Sequence, residues 1–245
     1  MRISSPDEIA QRALLVEYTG WRCPNCPRAS HYAHELQNNN PGGLIVVELH
    51  PATNGLTRPD RGGKDDYTCP EADEYYLFMS GMTDTPFPTG VFDFMPQGDG
   101  TYFTDESTWG LQMLRSCQRP MVVAPTAKAS VNAASREVQV DVTVIPVDEA
   151  ELNLQCVVWL TEDSIVGQQY DGKEKKTDYV HNHVLRQSLA GVWGTDVLLA
   201  GEETLVHVSD IVREGVALQN AHIVVALMHD KQVLNCCQVP LVVHE

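Results

Sequence analysis

Residues 14–27 read LLVEYTGWRCPNCP, and this stretch decides how the first half of the chain is interpreted. A short apolar segment runs into a loop that carries Cys23 and Cys26, and a helical pattern follows at once. Because the N-terminus of a helix lowers the pKa of a thiol, and the thiolate is the reactive form, this order favours reactive cysteines. The segment predicts either a redox dithiol or half of a metal site.

The composition excludes several classes of function. The chain has 245 residues, with 17 Lys and Arg against 33 Asp and Glu, which gives a formal net charge of −16. This acidic balance argues against binding to nucleic acid or to anionic lipid, since both attract clustered Lys and Arg. No apolar run approaches the ~18 residues of a membrane helix, and residues 1–6 lack the apolar core of a signal peptide. We therefore expect a soluble chain, or the soluble part of a longer protein.

The pattern of apolar residues changes near residues 118–125. Before this point strands are predicted at 13–18, 44–50, 90–95 and 101–104, and helices at 27–38, 70–80 and 105–116, the last of which Thr104 can cap. After it, strands with alternating apolar and polar residues dominate. The length suits two domains of about 120 residues each. We predict an α/β domain over residues 1–121 and an all-β, immunoglobulin-like sandwich over residues 122–245.

The first half resembles the thioredoxin fold in the order of its predicted elements and in single residues. Glu17 lies six residues before Cys23, where thioredoxins place a buried acid. Residues 87–92, FPTGVF, resemble the segment whose cis proline lies against the dithiol, which would make Pro88 that proline, with Pro86 as the alternative. The sequence departs from the family at Arg22, where a tryptophan is usual, and in the Pro-Asn pair between the cysteines.

The resemblance to thioredoxins implies a site for thiol–disulfide exchange. Cys23 would be the exposed nucleophile, and Cys26 would resolve the mixed disulfide. Glu17 would accept a proton from Cys26, and Pro88 would shape the groove where a substrate docks. The residues expected to contact substrate are Trp21, Arg22 and Phe87. We assign no cofactor and no metal ion. The alternative is a static disulfide in a protein without turnover.

Three phrases resemble the Omp28-related outer-membrane lipoproteins of Bacteroidetes. They are EYTGWRCPNCP at residues 17–27, EDSIVGQQ at 162–169 and YVHNHVLR at 179–186. The resemblance implies an exported lipoprotein at the outer membrane or cell surface, which a lipid holds through a leader cysteine outside this chain. Adhesion or receptor roles have been proposed for that family. The expected partner is a protein or peptide.

The sequence contains two further arrangements of metal-ligand residues. Cys69 and Cys117 lie in the first half, so four thiols could bind zinc, although these two lack the paired spacing of a zinc site. A disulfide between them is a competing possibility. His181 and His183 would share one face of an extended segment. Because no third ligand lies nearby in sequence, we interpret this H-x-H pair as structural or as part of an interaction surface.

The second half contains three cysteines in predicted strands, namely Cys156, Cys236 and Cys237. Adjacent strand residues face opposite sides, so only one of the last two can face a sandwich core. A disulfide from Cys156 to one of them is compatible with this pattern. Buried free thiols that pack as small apolar groups are equally compatible.

Overall fold

A computed structural model describes residues 9–59, 65–81, 85–147 and 151–245. The described chain is mostly β-structure, with fourteen strands and three α-helices. The helices are α1 (Cys26–Asn39), α2 (Pro70–Ser80) and α3 (Trp109–Cys117). The strands are β1 (Ala13–Tyr18), β2 (Leu44–Leu49), β3 (Thr89–Phe92), β4 (Val123–Asn132), β5 (Glu137–Pro146), β6 (Glu151–Glu162), β7 (Ile165–Asp171), β8 (Glu174–His181), β9 (Val184–Ser188), β10 (Thr195–Ala200), β11 (Thr204–Ile211), β12 (Ala221–His229), β13 (Gln232–Pro240) and β14 (Val242–His244).

β1 is the central strand of the first half. It pairs in parallel with β2, from Ala13 opposite Leu44 to Tyr18 opposite Leu49, and antiparallel with β3. All six residues of β1 are buried, as expected for an apolar strand that is covered on both faces. Helices α1 and α3 pack on one face, around the ring of Trp109. Helix α2 packs on the other face.

One sheet contains strands from both halves of the chain. Its order is β13-β12-β6-β9-β2-β1-β3, and β10 also pairs with β6. The two groups of strands join where β9 lies parallel to β2, with Val184 opposite Glu48. The Glu48 N–H also donates to the carbonyl of His183 at 2.8 Å. The division at residue 121 stays a prediction, and this sheet runs across it.

A second sheet packs against the strands of the second half. Its order is β11-β5-β4-β14, and side chains of β4, β5 and β11 form one apolar core with those of β6 and β12. On β6, Cys156 and Val158 face this core, whereas Val157 and Trp159 face α2. The strand-rich second half agrees with the prediction of an all-β region. Its immunoglobulin-like type stays a prediction.

Glu71, at the start of α2, links the first half to the second. Its carboxylate accepts two hydrogen bonds from the guanidinium of Arg213, at 2.7 and 3.0 Å, and a third from the N–H of Ser188 at 3.2 Å. Burial alone would raise the pKa of Glu71, but the hydrogen bonds from Arg213 and Ser188 hold this pKa below its ordinary value. Glu71 is therefore an ionised link between α2 and the end of β9.

The segment after β3 differs from its prediction. The predicted strand at residues 101–104 is wrong, because only Thr104 pairs, in an isolated bridge to Gly90. The Thr104 hydroxyl donates to the Gly90 carbonyl at 2.9 Å, so it does not cap the helix that follows. Asp105 instead caps a short 3-10 helix, Glu106–Thr108, that precedes α3, since its carboxylate accepts a hydrogen bond from the Ser107 N–H at 3.0 Å.

Candidate functional site

The loop after β1 carries both cysteines of the C-x-x-C motif. The Cys23 N–H donates to the Gly20 carbonyl at 2.9 Å and closes a turn. Cys26 begins α1, and Pro27 stands in its first turn, where a missing N–H costs nothing. Glycine is required at position 20, because a Cβ there would lie 2.6 Å from the carbonyl oxygen of Leu56. The local sequence therefore places Cys26 at a helix N-terminus, as predicted.

Cys23 and Cys26 form a disulfide bond. Each residue is only 1% exposed, so the prediction that Cys23 is exposed is wrong. Cys69 and Cys117 are free thiols, and the alternative disulfide between them is not formed. Burial raises the pKa of Cys69 to about 12. With two of the four thiols joined in a disulfide, the four-thiol zinc hypothesis loses half of its ligands.

The hairpin of β7 and β8 covers the disulfide loop. The side-chain amide of Gln169 donates to the Cys23 carbonyl at 3.0 Å. The Tyr170 N–H donates to the Trp21 carbonyl at 2.8 Å, and the two rings stack with centroids 6.3 Å apart. A third hydrogen bond runs from the Gly172 N–H to the same loop at 2.9 Å. These contacts, made from far along the chain, account for the burial of Cys23.

Trp21 and Arg22, two of the predicted substrate contacts, are engaged with neighbouring groups. Trp21 is 2% exposed, and its indole N–H donates to the Arg58 carbonyl at 3.0 Å. The guanidinium carbon of Arg22 lies 4.1 Å from the Trp21 ring centroid, and Arg22 also donates to the Arg58 carbonyl. The Lys175 ammonium lies 5.3 Å from the same ring. Their role toward a substrate stays a prediction.

Glu17, the predicted proton acceptor, is fully buried in β1. One carboxylate oxygen accepts a hydrogen bond from the Ser30 hydroxyl at 2.8 Å, and the other has no hydrogen-bond partner. Burial raises the pKa of Glu17 well above its ordinary value, and Glu48, its register neighbour on β2, raises it further. A raised pKa favours the protonated carboxyl group, which is a poor proton acceptor.

The Phe87–Pro88 peptide bond is cis, which agrees with the resemblance that pointed to Pro88. Phe87 is 8% exposed and belongs to the apolar cluster that contains Tyr18 and both cysteines of the disulfide. Its ring centroid lies 6.3 Å from that of Tyr18. Phe87 and the disulfide therefore belong to the same buried apolar cluster. The roles of Phe87 and Pro88 toward a substrate stay predictions.

The three cysteines of the second half are free thiols. Cys237 faces the sandwich core with Cys156, whereas Cys236 faces the first half. The prediction that only one of the adjacent pair can face this core is confirmed. Burial raises the pKa of Cys156 and that of Cys237 to about 12. These thiols are therefore apolar packing groups rather than reactive ones.

A second polar group lies at the base of the same hairpin. Glu48 lies near the end of β2, His50 follows that strand, and His181 ends β8. One potential ligand atom from each of the three lies within 4.8 Å of those of the others, and all three residues are buried. Burial lowers the pKa of His50 to about 3 and that of His181 to about 4, so both rings are neutral.

The sequence predicted that His181 and His183 share one face of an extended segment. In the structure they do not. His183 has a φ of 56°, in the left-handed region, because the chain turns where β8 ends. Its Nε2 lies 2.8 Å from the Nε2 of His34, and its Nδ1 lies 3.3 Å from a carboxylate oxygen of Asp163. The ring of His181 instead faces that of His50, with centroids 6.0 Å apart.

Sequence reasoning did not single out Glu48, His50 or His34. The segment at residues 44–50 is almost entirely apolar and predicts a buried strand. Taken singly, its two polar residues, Glu48 and His50, therefore give no separate signal of a site. A usable signal was present, because Glu48 and His50 stand two residues apart and therefore share a face of an extended segment. Their pairing with a histidine more than a hundred residues later could not be read from local spacing.

The structure is similar to two solved structures over nearly the whole chain. HBP35 of Porphyromonas gingivalis has a TM-score of 0.75 at 12% sequence identity, and the match covers 96% of this chain and 76% of that chain. Protein AGR_C_4864 from Agrobacterium tumefaciens has a TM-score of 0.57 at 15% identity, and the match covers 95% of each chain. At these identities the likeness concerns the fold alone.

The family comparison concerns the part of the chain from β3 to β14. A search of curated proteins finds no match. No α-helix in the described ranges is both long and apolar enough to cross a membrane. The family model described as outer membrane protein Omp28 matches residues 87–244, which is more than half of the chain. This match confirms the family resemblance drawn from the phrases at 162–169 and 179–186, and the chain belongs to the Omp28 family.

Proposed function

We propose that this chain is a lipid-anchored protein of the outer membrane or cell surface that binds a protein or peptide partner. In this proposal its first half, residues 1–121, is a thioredoxin-like scaffold without turnover, and the Cys23–Cys26 disulfide is a structural link. The observation that carries the proposal is the 1% exposure of both cysteines beneath the β7–β8 hairpin.

Burial of the disulfide supports a structural role for chemical reasons. Exchange requires a thiolate to approach one sulfur of the disulfide and displace the other, so access to a sulfur limits the rate. Here the loop is held by the Gln169 amide on the Cys23 carbonyl, and the cysteines lie in an apolar cluster with Phe87. The link joins the loop after β1 to the first residue of α1, where it restricts the backbone of that loop.

The thioredoxin-like part of the proposal has its own support. The order of elements is strand, C-x-x-C, helix, strand, helix, strand, helix. The Phe87–Pro88 bond is cis, and Glu17 is buried in the strand before the motif. The protein or peptide partner is supported by the net charge of −16, which disfavours nucleic acid and anionic lipid.

Differential alkylation of the native protein tests this proposal. After mild reduction without denaturant, we expect Cys23 and Cys26 to stay unlabelled, because neither residue is accessible, and to react only after unfolding. Cys117 is the internal control, since it is a free and half-buried thiol that should label first in the native protein. Peptide mapping by mass spectrometry assigns the labels. Catalysed reduction of insulin that disappears in Cys23→Ser would contradict the structural role.

A second candidate is thiol–disulfide exchange in a conformation with the hairpin displaced. The observation that favours it is that β7 and β8 form a two-stranded sheet of their own, separate from the two large sheets. Displacing this hairpin would break the hydrogen bonds from Gln169, Tyr170 and Gly172 to the disulfide loop and leave both large sheets intact. Exchange at an uncovered Cys23 would then follow the chemistry that thioredoxins use.

Substitution of Gly167 distinguishes the two candidates. A Cβ at this position in β7 would lie 1.8 Å from the hydroxyl of Tyr67, so Gly167→Ala is expected to push the hairpin away from its support. We expect Cys23 to label at least about tenfold faster in this variant, because its cover is loosened. Thr177→Ala, at an exposed position of β8 in the same hairpin, is the matched control. Insulin reduction by Gly167→Ala that requires Cys23 would favour exchange, and its absence in a labelled, folded variant would exclude it.

A further inference from the structure

Three side chains of the type that binds metal ions converge where β2 and β8 end. They are Glu48, His50 and His181, and their ligand atoms lie within 4.8 Å of one another. Two imidazoles and one carboxylate form a donor set that zinc and other divalent transition metals accept, whereas calcium and magnesium prefer oxygen donors alone. All three side chains are buried, so their meeting is not a chance encounter of surface residues.

The burial and missing hydrogen bonds of His50 are the strongest evidence for a bound ion. Its side chain is fully buried, and neither ring nitrogen has a hydrogen-bond partner. A carboxylate oxygen of Glu48 lies 3.8 Å from His50 Nε2, too far for a hydrogen bond. A buried polar nitrogen without a partner is costly. A metal ion bound to the ring would remove that cost.

His181 is held in a manner suited to a metal ligand. Its Nε2 lies 3.2 Å from the carbonyl oxygen of Gln168. When this nitrogen carries the proton and donates to that carbonyl, the lone pair of Nδ1 is left for a metal. Metal-ligating histidines commonly donate their other ring N–H to a carbonyl or carboxylate in this way. The Tyr67 ring packs on His181, with centroids 4.3 Å apart, and fixes the ring further.

Two buried acids lie side by side at this site. Glu48 lies opposite Glu17 in the β1–β2 register. Among the described residues no Lys or Arg forms an ion pair with either carboxyl group. A divalent cation bound to Glu48 would compensate the charge of its ionised carboxylate.

A cavity borders the cluster at Glu48. It has a volume of about 350 Å³ and lies between α1 and the β7–β8 hairpin, and Ser30, His34, Glu48 and Tyr179 contribute to its lining. Sites with three protein ligands keep a position for water or for a bound molecule.

We propose that Glu48, His50 and His181 bind one divalent transition-metal ion of the zinc class, with a fourth position open toward this cavity. His181 belongs to the hairpin that covers the disulfide, whereas Glu48 belongs to the shared sheet and His50 directly follows β2. Bound metal therefore ties the hairpin to the sheet. This site does not depend on the proposed function of the disulfide, because none of its ligands is a thiol.

Zinc binding by the chelator-treated, oxidised protein tests this site. We expect equilibrium dialysis with ZnCl2 to give one equivalent per chain, and Co²⁺ in place of zinc to give visible absorption bands. His50→Leu and His181→Ala should each weaken zinc binding by about 100-fold or more. Even residues that only hydrogen-bond to a metal ligand contribute about 10- to 100-fold to metal affinity. His207→Gln is the matched control, because His207 lies on the surface and pairs with Asp141.

Stability measurements separate loss of a ligand from loss of the fold. In chelator, His50→Leu is expected to melt at a temperature no lower than the natural chain, because leucine removes a buried polar group that has no partner. Only the natural chain and His207→Gln should gain thermal stability from zinc. Absence of zinc binding in the folded natural chain would overturn the proposal. So would binding that His50→Leu and His181→Ala leave intact but cysteine alkylation abolishes.

Discussion

Replacement of Trp159 by alanine is expected to lower the free energy of unfolding by about 3–5 kcal/mol, the range for truncating a fully buried large aromatic residue. Trp159 is 1% exposed and projects from β6 toward the first half. Its ring stacks on Phe94 at 6.0 Å and meets Tyr75 edge-on at 5.6 Å. Its indole N–H donates to the Tyr75 hydroxyl at 2.8 Å. The truncation therefore leaves a cavity between the two halves and removes the donor to the Tyr75 hydroxyl, which keeps its own hydrogen bond to the Val192 carbonyl.

Urea unfolding followed by far-ultraviolet circular dichroism measures the effect of Trp159→Ala. The matched control is Trp193→Ala, because Trp193 belongs to the same aromatic group, with its ring centroid 5.2 Å from that of Tyr75, but is only partly buried. We expect the control to lose clearly less stability. Equal losses for the two variants would show that the full burial of Trp159 does not set the size of its contribution.

The second large effect is expected at Asn235, a fully buried polar residue of β13. Its side-chain oxygen accepts hydrogen bonds from the N–H groups of Arg12, at 3.1 Å, and Cys236, at 2.9 Å. Its amide nitrogen donates to the carbonyls of Ala10, at 3.1 Å, and Val123, at 3.0 Å. One side chain thus satisfies four backbone groups, drawn from the segment before β1, the start of β4 and β13 itself.

Asn235→Leu is expected to destabilise the protein by about 3–5 kcal/mol, because it keeps the branching of the side chain but leaves these four backbone groups without their partner, at about 1–3 kcal/mol each before relaxation. Thermal and urea unfolding measure the loss. Asn153→Leu is the control, since Asn153 is an exposed strand residue on β6, and we expect it to change stability by less than about 0.5 kcal/mol. A loss below about 1 kcal/mol for Asn235→Leu would mean that water replaces the amide.

Local sequence signals predicted the central strands and helices well. The strand at residues 13–18 and the helix at residues 70–80 have the predicted bounds, because continuous apolar character and proline-led turns act over a few residues. The cysteine loop at the start of α1 was also foreseen. The cover over that loop was not, because Gln169 bonds to Cys23 from 146 residues away. No local pattern in a polar hairpin indicates what it will cover.

The candidate metal ligands also show that local sequence patterns do not reveal which distant residues meet. Spacing alone placed His181 and His183 together, but a left-handed backbone at His183 separates them. His181 then meets Glu48 and His50 through tertiary packing of β8 against the end of β2. A periodicity argument assumes that a segment stays extended, and it fails where the chain turns. The residue types could be recognised in the sequence, whereas their grouping required the fold.

The pairing of β2 with β9 has a consequence for the order of events while the chain is being made. β2 emerges early, next to β1, but its second neighbour does not exist until Val184 has been synthesised. All six residues of β2 are buried in the finished protein. An apolar strand with an unpaired edge is a template for pairing with other chains. During synthesis the nascent chain therefore exposes this edge for a long interval. Pairing with β9 of the second half then covers it.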